Sequence, residues 1–320
     1  MKPAAARLLR WGLGLGITAL FCYAGRKYLT GLGRLRDVPP AWVLANAAVY
    51  LLTRYGNGEV LRLALNRLGC AIRGYEAFML NMVMSYTNLL VPHAGMGPPA
   101  MYLNKKYGVA YADYVALVMP TFALQLICAG ACGLAAMGWL VTCGHGYSLA
   151  GAVPLFLLFA AVLAGSIGLC VFPLPVPDRW DNRAANLLRR FSRTWSFFRA
   201  DPRLTGRLLA IQLAVVLLRA LRLQLAFCAV GVGWNFPILL VASICSQFML
   251  FISITPGALG FREAAIGYVM YSFCDPSLSV AASLLDRLVM TALIVGVSQV
   301  GLFQFVRPVL RPPAPPAAPG

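Results

Sequence analysis

Six charged residues of this chain lie within or beside long apolar stretches. They are Arg219, Arg222, Arg262, Glu263, Asp286 and Arg287. Inside a bilayer, ionised side chains are costly, and they are usually paired or mark the path of a substrate or ion. The planar arginine fork matches phosphate oxygens. We therefore predict that the four arginines bind a phosphate-bearing lipid headgroup, while Glu263 and Asp286 set the charge balance or couple to protons.

The spacing of these residues leaves a second interpretation open. Arg219 and Arg222 are three positions apart and share a helix face, whereas Asp286 and Arg287 are adjacent and need separate partners. In the second interpretation the arginines only neutralise the two acids. Glu263 likewise suits either a headgroup contact or a helix cap with an ion pair, because a carboxylate is stabilised at a helix N-terminus.

Clusters of proline and glycine interrupt two further apolar segments, at 75–108 and 237–275. The break residues are Pro92, Gly95 and Gly97 in the first segment, and Pro256, Gly257 and Gly260 in the second. Such residues end helices, and irregular backbone persists at membrane depth only against protein or a wet cavity. Free N–H groups at helix starts attract anions, so the break glycines are candidate headgroup contacts. A break made only for packing is the alternative.

The composition is typical of a membrane protein. Of 320 residues, 60% are hydrophobic and 12% are charged, with a mean hydropathy of +0.74. Soluble domains carry about twice that share of charge, so we expect lipid to be the main solvent. The formal charge is +17, but the basic residues cluster between apolar runs, as in cytoplasmic loops. We expect membrane lipids as partners and no nucleic acid.

The apolar runs predict an all-α polytopic membrane protein with six full transmembrane helices, since a bilayer core needs about 20 helical residues. The predicted spans are 11–30, 39–55, 112–141, 149–173, 206–230 and 281–306. The basic N-terminus lacks a convincing cleavage site, so we expect the first span to stay uncleaved. Arginines and leucines alternate in 56–73, which predicts an amphipathic helix at the interface.

Charge bias predicts the topology. The arginine-rich stretch 174–205 is predicted to be a cytoplasmic loop. This loop, Lys105, Lys106 and both termini share the cytoplasm if each broken segment enters the membrane and returns to the same face. The broken segments are then two re-entrant helical hairpins in an inverted repeat, an arrangement typical of transporters. We expect one domain over 1–311 in the cytoplasmic membrane, and a disordered tail at 312–320.

Histidines and cysteines form no pattern for metal binding. None of the nine cysteines belongs to a Cys-x-x-Cys pair, and His93 and His145 have no second ligand nearby in sequence. No catalytic arrangement of Ser/His/Asp or paired carboxylates is apparent, so we expect no metal, no cofactor and no enzymatic activity. Whether Cys143 and Cys274, both predicted at the outer face, form a disulfide stays open.

The two breaks carry a family resemblance. The segment 88–109 contains NLLVP, two glycines and MYLNKKYGV; the segment 255–264 reads TPGALGFREA, and an Asp-Arg pair follows at 286–287. These motifs resemble the lysylphosphatidylglycerol synthase transmembrane-region family over nearly the whole chain. Members include the flippase half of the bacterial multiple-peptide-resistance proteins, and others accompany polyprenyl-linked sugar pathways or hopanoid clusters. The resemblance therefore implies lipid translocation as a class of activity, without a substrate.

Two departures from the family limit what the resemblance implies. We expect this chain to be without the aminoacyl-transfer domain of the bifunctional members, and so we expect no lipid lysylation by it. Pro98 and Pro99 stand where relatives often carry a charged residue, which puts a charge role at the first break in doubt.

Two functions are consistent with these features. The first is a flippase-like protein that translocates an anionic, aminoacylated or polyprenyl-linked lipid between leaflets. The second is an accessory membrane protein that presents a lipid to, or is a scaffold for, a lipid-modifying transferase or a glycosyltransferase. In the second case the charged residues would matter only for folding.

Overall fold

The computed structural model describes residues 33, 35–67, 69–91, 94–143, 149–171, 195, 198–252 and 258–306. This part of the chain is mostly helical, with turns and short irregular connections and with no β-strand among the residues described. The predicted first span at 11–30 and the tail at 312–320 lie outside it, as does most of the arginine-rich loop at 174–205.

Nine α-helices follow one another in the described residues. They are α1 (Pro40–Arg67), α2 (Gly74–Leu90), α3 (Gly97–Tyr107), α4 (Tyr111–Thr142), α5 (Leu149–Val171), α6 (Pro202–Ala229), α7 (Phe236–Ile252), α8 (Phe261–Met270) and α9 (Pro276–Gly301). A short π-helical turn, Leu302–Val306, continues α9. The all-α prediction is thus confirmed.

Among the residues that the structure describes, four helices are long and apolar enough to cross a membrane. These candidate spans are Tyr111–Thr142, Ala152–Cys170, Pro202–Ala229 and Pro276–Phe305, in α4, α5, α6 and α9. They coincide with four of the six predicted spans. In α5, only 22% of the most apolar window is buried inside the protein, and Leu157 is 65% exposed. So large an apolar face suits contact with lipid.

The predicted boundary at residue 55 is wrong. The predicted span 39–55 and much of the predicted interfacial helix 56–73 form one continuous helix, α1, of 28 residues and about 42 Å. Ala64 and Leu65 in its second half are fully buried. The helix continues past residue 55 because neighbouring helices cover the leucine-bearing side of its second half. By length and composition, α1 is not among the four candidate spans.

Two glycines let neighbouring helices approach α1 closely. A β-carbon added at Gly56 would lie 2.8 Å from Val215 Cγ2 on α6. One added at Gly58 would lie 2.9 Å from the Cα and N atoms of Phe78 on α2. Small residues at such contacts allow helix backbones to pack tightly. The contact fixes α1 between α2 and α6, which positions the polar residues described below.

Each predicted break separates two helices that contact one another. We call α2 with α3 the first broken unit and α7 with α8 the second broken unit. The first helices have 17 residues each, the second helices have 11 and 10, and each unit precedes a candidate span. The break residues Pro92, Pro256 and Gly257 lie outside the described part. The shared order is consistent with a repeat; entry from opposite membrane faces stays a prediction.

Two large apolar cores, with a small third cluster at Tyr50, Met82 and Ile294, hold the described helices together. The larger joins α4 and α5 to the second broken unit and α9, with Phe159, Phe227 and Ile266 fully buried. The other joins α1 and the first broken unit to α4 and the start of α6, with Leu80, Leu103 and Leu208 fully buried. Both cores share α6, so this helix connects the two broken units.

Candidate functional site

Asp286 on α9 is the centre of a buried network of charges. It is fully inaccessible to solvent. Arg222 of α6 binds it with two nitrogens, with Nε at 2.7 Å from Oδ1 and Nη2 at 3.0 Å from Oδ2. Arg262 of α8 also donates to Oδ2 through Nη2. Asn46 Nδ2 on α1 donates to Oδ1 at 3.2 Å. One carboxylate thus joins four helices.

A second ion pair fixes the start of α8 against α9. Arg287 Nε lies 2.7 Å from Glu263 Oε1. The other oxygen, Oε2, accepts a hydrogen bond from the Gly260 amide at 2.9 Å, which caps the helix. Gly260 has a φ of +85°, a conformation that favours glycine. Glu263 therefore caps the helix and forms an ion pair, as one of the two sequence interpretations proposed.

Asp286 and Arg287 bind separate partners, as their adjacent positions in the sequence predicted. Asp286 binds Arg222 and Arg262, while Arg287 binds Glu263. Three of the four arginines predicted to hold a phosphate are thus already paired with an acid. Removing one partner from such a buried pair would leave an uncompensated charge, which is strongly destabilising. These pairs therefore have a structural role whatever else they bind.

Arg219 is the exception. It lies one turn before Arg222, yet its Nη1 donates to the side-chain oxygen of Gln247 on α7. Within the described ranges it forms no ion pair with a carboxylate. Its charged neighbours Arg54 and Arg222 repel it. The same Gln247 oxygen accepts from Gln125 Nε2 on α4 at 3.2 Å. Arg219 therefore has a guanidinium suited to an external anion.

The charged cluster has an excess of positive charge. We define it as Arg219, Arg222, Arg262, Glu263, Asp286 and Arg287, the six residues singled out by sequence. Four guanidiniums face two carboxylates, so two positive charges are not neutralised within the cluster. Burying unbalanced charge is expensive. A phosphate group entering this cluster would offset that cost, and arginine is the side chain best shaped to bind it.

Sequence analysis missed the contribution of Asn46 and Tyr50 on α1. Tyr50 is fully buried, and its ring faces both Arg54, at 5.0 Å, and Arg222, at 5.2 Å. Arg54 Nε donates to the Tyr50 hydroxyl at 2.7 Å. Together with Asn46, these residues are spaced four apart and form one stripe on the helix. That spacing is the signal that would have placed α1 beside the charged cluster.

The break glycines are engaged within the protein. The Gly95 amide donates to Asn88 Oδ1 at 2.7 Å, the Gly97 amide to the Ala94 carbonyl at 3.1 Å, and the Gly260 amide to Glu263. A β-carbon at Gly95 would lie 2.5 Å from the Met84 carbonyl oxygen. Gly95 is therefore required for close packing of the first break, and these three amides are not free for an anion.

The first broken unit has its own polar contact, away from the charged cluster and outside the four candidate spans. Glu76 near the start of α2 is 5% exposed. It accepts hydrogen bonds from Tyr102 at 2.6 Å, Tyr107 at 2.9 Å and Lys106 at 3.1 Å, all on α3. Burial would raise the pKa of Glu76, but these hydrogen bonds and the charge of Lys106 bring it below its ordinary value.

Burial and the hydrogen bond to the paired acid of this contact raise the pKa of Tyr102. Burial is the largest cause, the hydrogen bond to Glu76 adds to it, and the pKa reaches about 12. Lys106 also faces the Tyr102 and Tyr107 rings at 5.1 and 5.0 Å. The aromatic residues and Lys106 belong to the first sequence motif, whereas Glu76 precedes it and was not predicted.

Comparison with known families identifies the family of this chain. The family model described as lysylphosphatidylglycerol synthase TM region matches residues 11–298. That range contains the charged cluster, both broken units and all but the end of the last candidate span. A comparison with curated proteins gives no match. The family and the four apolar helices together indicate a multi-pass membrane protein linked to lipid handling.

Proposed function

This chain belongs to the lysylphosphatidylglycerol synthase TM region family, and we propose that it translocates a phosphate-bearing lipid between the leaflets of the cytoplasmic membrane. The lipid is anionic, aminoacylated or polyprenyl-linked. The headgroup passes through the polar interior beside the charged cluster, while the acyl chains remain in lipid. No covalent step is involved in this proposal.

The observation that supports transport best is the state of Arg219. A cationic side chain inside a membrane protein is normally paired, and the other three arginines of the charged cluster are. Arg219 instead has an amide oxygen as partner. A site built only for stability would not need a fourth guanidinium beside two that repel it. A site that receives an anion transiently does need one.

The ion pairs around Arg219 provide a way to bind and release the headgroup. Asp286 is bound by two arginines, so either one can turn towards a phosphate without leaving the carboxylate unpaired. A transport site must bind its substrate tightly enough for the substrate to enter and weakly enough for it to leave. Competition between an internal carboxylate and a lipid phosphate meets both conditions. Glu263 and Asp286 would set this balance, and protonation of either would shift it.

The topology belongs to the same proposal. Six spans and two re-entrant hairpins place both termini, Lys105, Lys106 and the loop 174–205 in the cytoplasm. Cysteines introduced at 183–199 should then resist labelling by a membrane-impermeant reagent added outside. Strong labelling there would overturn the re-entrant arrangement. The donor of the lipid would be a lipid-modifying transferase or a glycosyltransferase on the cytoplasmic side.

The direct test is translocation of headgroup-labelled anionic lipids in proteoliposomes. We expect the wild type to move the label and Arg219→Gln to reduce the rate at least about ten-fold, the loss for about 1.4 kcal/mol of binding. Arg67→Gln is the matched control, because Arg67 is an exposed residue at the end of α1. Glu263→Gln and Arg287→Ala, which break the second ion pair, should also reduce the rate.

A loss of translocation in a variant can be assigned to the charged cluster only if that variant is folded. Each variant is compared with the wild type by thermal unfolding in detergent. A folded wild type that moves none of the lipids tested would overturn the proposal and favour the accessory function. Equal translocation rates for Arg219→Gln and Arg67→Gln would show that the charged cluster is not part of the translocation pathway.

A further inference from the structure

Arg54 of α1 is a second arginine without a carboxylate partner, and it lies beside the charged cluster. Its Nε donates to the Tyr50 hydroxyl at 2.7 Å, and it forms no ion pair with an acid among the residues described. Its two terminal NH2 groups have no partner within that part of the chain. Arg54 is half-buried, and both of these groups keep accessible surface. A ligand can therefore reach them.

Arg54 and Arg219 lie at the same level of two tightly packed helices. The helices α1 and α6 run in opposite directions. Their close contact between Gly56 and Val215 is two residues from Arg54 and four residues from Arg219. Of the charged residues around Arg219, Arg54 repels it most strongly. Two guanidiniums from different helices are thus held near one another although their charges are alike.

Tyr50 makes this crowding of positive charge possible. The centre of its ring lies 5.0 Å from the guanidinium carbon of Arg54 and 5.2 Å from that of Arg222. The face of an aromatic ring attracts cations, and more strongly where water is excluded. Because the Tyr50 hydroxyl accepts the Nε–H of Arg54, it orients that side chain and leaves the terminal fork for a ligand. Tyr50 is therefore a positioning residue.

The chemistry of the ligand follows from the number of charges and oxygens that it must supply. With Arg54 added to the charged cluster, five guanidiniums face two carboxylates, so three positive charges lack an acid among the described residues. A bidentate arginine fork occupies two oxygens, which is all that a phosphodiester has unesterified. A phosphomonoester has three such oxygens and close to two negative charges. Two forks and a large positive excess thus favour a monoester.

We propose that Arg54 and Arg219 together bind a lipid headgroup that ends in a phosphomonoester, in preference to a phosphodiester headgroup. An aminoacylated headgroup is disfavoured as well, because its amine adds positive charge to the excess already present. This inference rests on the proposed function for the identity of the ligand as a lipid, and it narrows the lipid classes considered there. Binding itself does not depend on translocation, so the two are tested separately.

The test compares two lipids that differ by one methyl group. Phosphatidic acid ends in a phosphomonoester, and phosphatidylmethanol with the same acyl chains is the corresponding phosphodiester. Binding to the full chain in detergent is followed by thermal stabilisation as each lipid is titrated, at about pH 8, where the monoester is a dianion. We expect phosphatidic acid to bind the wild type at least about ten-fold more tightly, the gain from one hydrogen bond between charged groups. Equal affinities would overturn the proposal.

Variants then assign the preference to Arg54. We expect Arg54→Gln, which removes one fork, to lose most of the preference for phosphatidic acid while it still binds phosphatidylmethanol through Arg219. Arg67→Gln is the matched control, because it removes an exposed arginine from the same helix, and it should keep the preference. The ratio of the two affinities is the readout, since a loss of structure would weaken both lipids alike. A preference that persists in Arg54→Gln would overturn the location of the site.

Two further outcomes separate the ligand from its alternatives and the site from transport. Displacement of phosphatidic acid by inorganic phosphate at the same concentration would assign the site to a free anion and overturn the lipid ligand. A preference that Arg54→Gln removes, in a protein that moves no lipid in vesicles, would support the arginine site and overturn the proposed translocation. Equal affinities in a protein that moves both lipids would support translocation and overturn the arginine site.

Discussion

The two broken units are alike in helix order and length but are held in different ways. In the first broken unit, Glu76 on α2 binds three side chains of α3, so the unit is closed on itself. In the second broken unit, Arg262 and Glu263 bind residues of α9 and not of α7. The second unit is therefore tied to a candidate span, and through Asp286 to α6 as well.

In the proposed function, this difference separates a contact that only stabilises the fold from one that also binds the lipid. The contact of the first broken unit has a partly exposed lysine, with 45% of its side chain accessible, and its acid is satisfied by neighbours on one helix. The contact of the second broken unit lies deep among four helices and retains excess positive charge. In the proposed function, the second exchanges an internal partner for a lipid phosphate, so we expect transport to depend on it.

The largest effect on stability is expected from Asp286→Ala. The change leaves Arg222 and Arg262 buried without their carboxylate, which should lower the free energy of unfolding by about 3–5 kcal/mol. Unfolding in mixed micelles measures it. Asp113→Asn removes an exposed acid from the first turn of α4 and should cost under about 1 kcal/mol. Similar losses of unfolding free energy in both variants would show that Asp286 is not the centre of the charged cluster.

Glu76→Gln should have the next largest effect, about 1.5–3 kcal/mol from weakened hydrogen bonds to a charged group. The lowered pKa of Glu76 determines the direction in which its contribution to stability changes with pH. Its stabilisation is complete above the ordinary value of 4.5 and is lost as the pH falls below it. The stability difference between wild type and Glu76→Gln should therefore shrink in acid. A difference that is constant across this range would show that the carboxylate charge is not involved.

Gly95→Ala should destabilise the first broken unit by about 1–3 kcal/mol, because the added methyl group clashes with the Asn88 side chain and the Met84 carbonyl of α2. Gly97→Ala, two residues away, is the control, since a β-carbon there meets nothing within 4 Å. Thermal unfolding of both variants compares them. If Gly97→Ala is the more harmful of the two, close packing at Gly95 is not what fixes this break.

The smallest predicted effect is a gain in stability, unlike the losses predicted above. Gly267 lies inside α8 with open space around its Cα, so Gly267→Ala should stabilise the second broken unit by about 0.5–1 kcal/mol through helix propensity. A small rise in melting temperature with unchanged lipid translocation is expected. A fall in translocation at higher stability would show that flexibility of α8 takes part in transport, which would widen the contrast between the two units.

Much of the fold is encoded locally, and the sequence by itself determined it. The lengths of apolar runs predicted the helices that became α4, α5, α6 and α9, and prolines and glycines predicted the two breaks. Charges in apolar surroundings identified the residues of the charged cluster, because ionised groups persist there only for a reason. The error at residue 55 arose because arginines on α1 suggested an exposed surface, while leucines between them continue the core.

Only the tertiary structure decided which charges pair. Asp286 binds arginines that are 64 and 24 positions away in sequence, and Arg219 is left with an amide oxygen. Partners at such distances depend on how each helix is rotated and how closely glycines let it approach its neighbours. Hydrophobic length and local breaks do not specify either quantity.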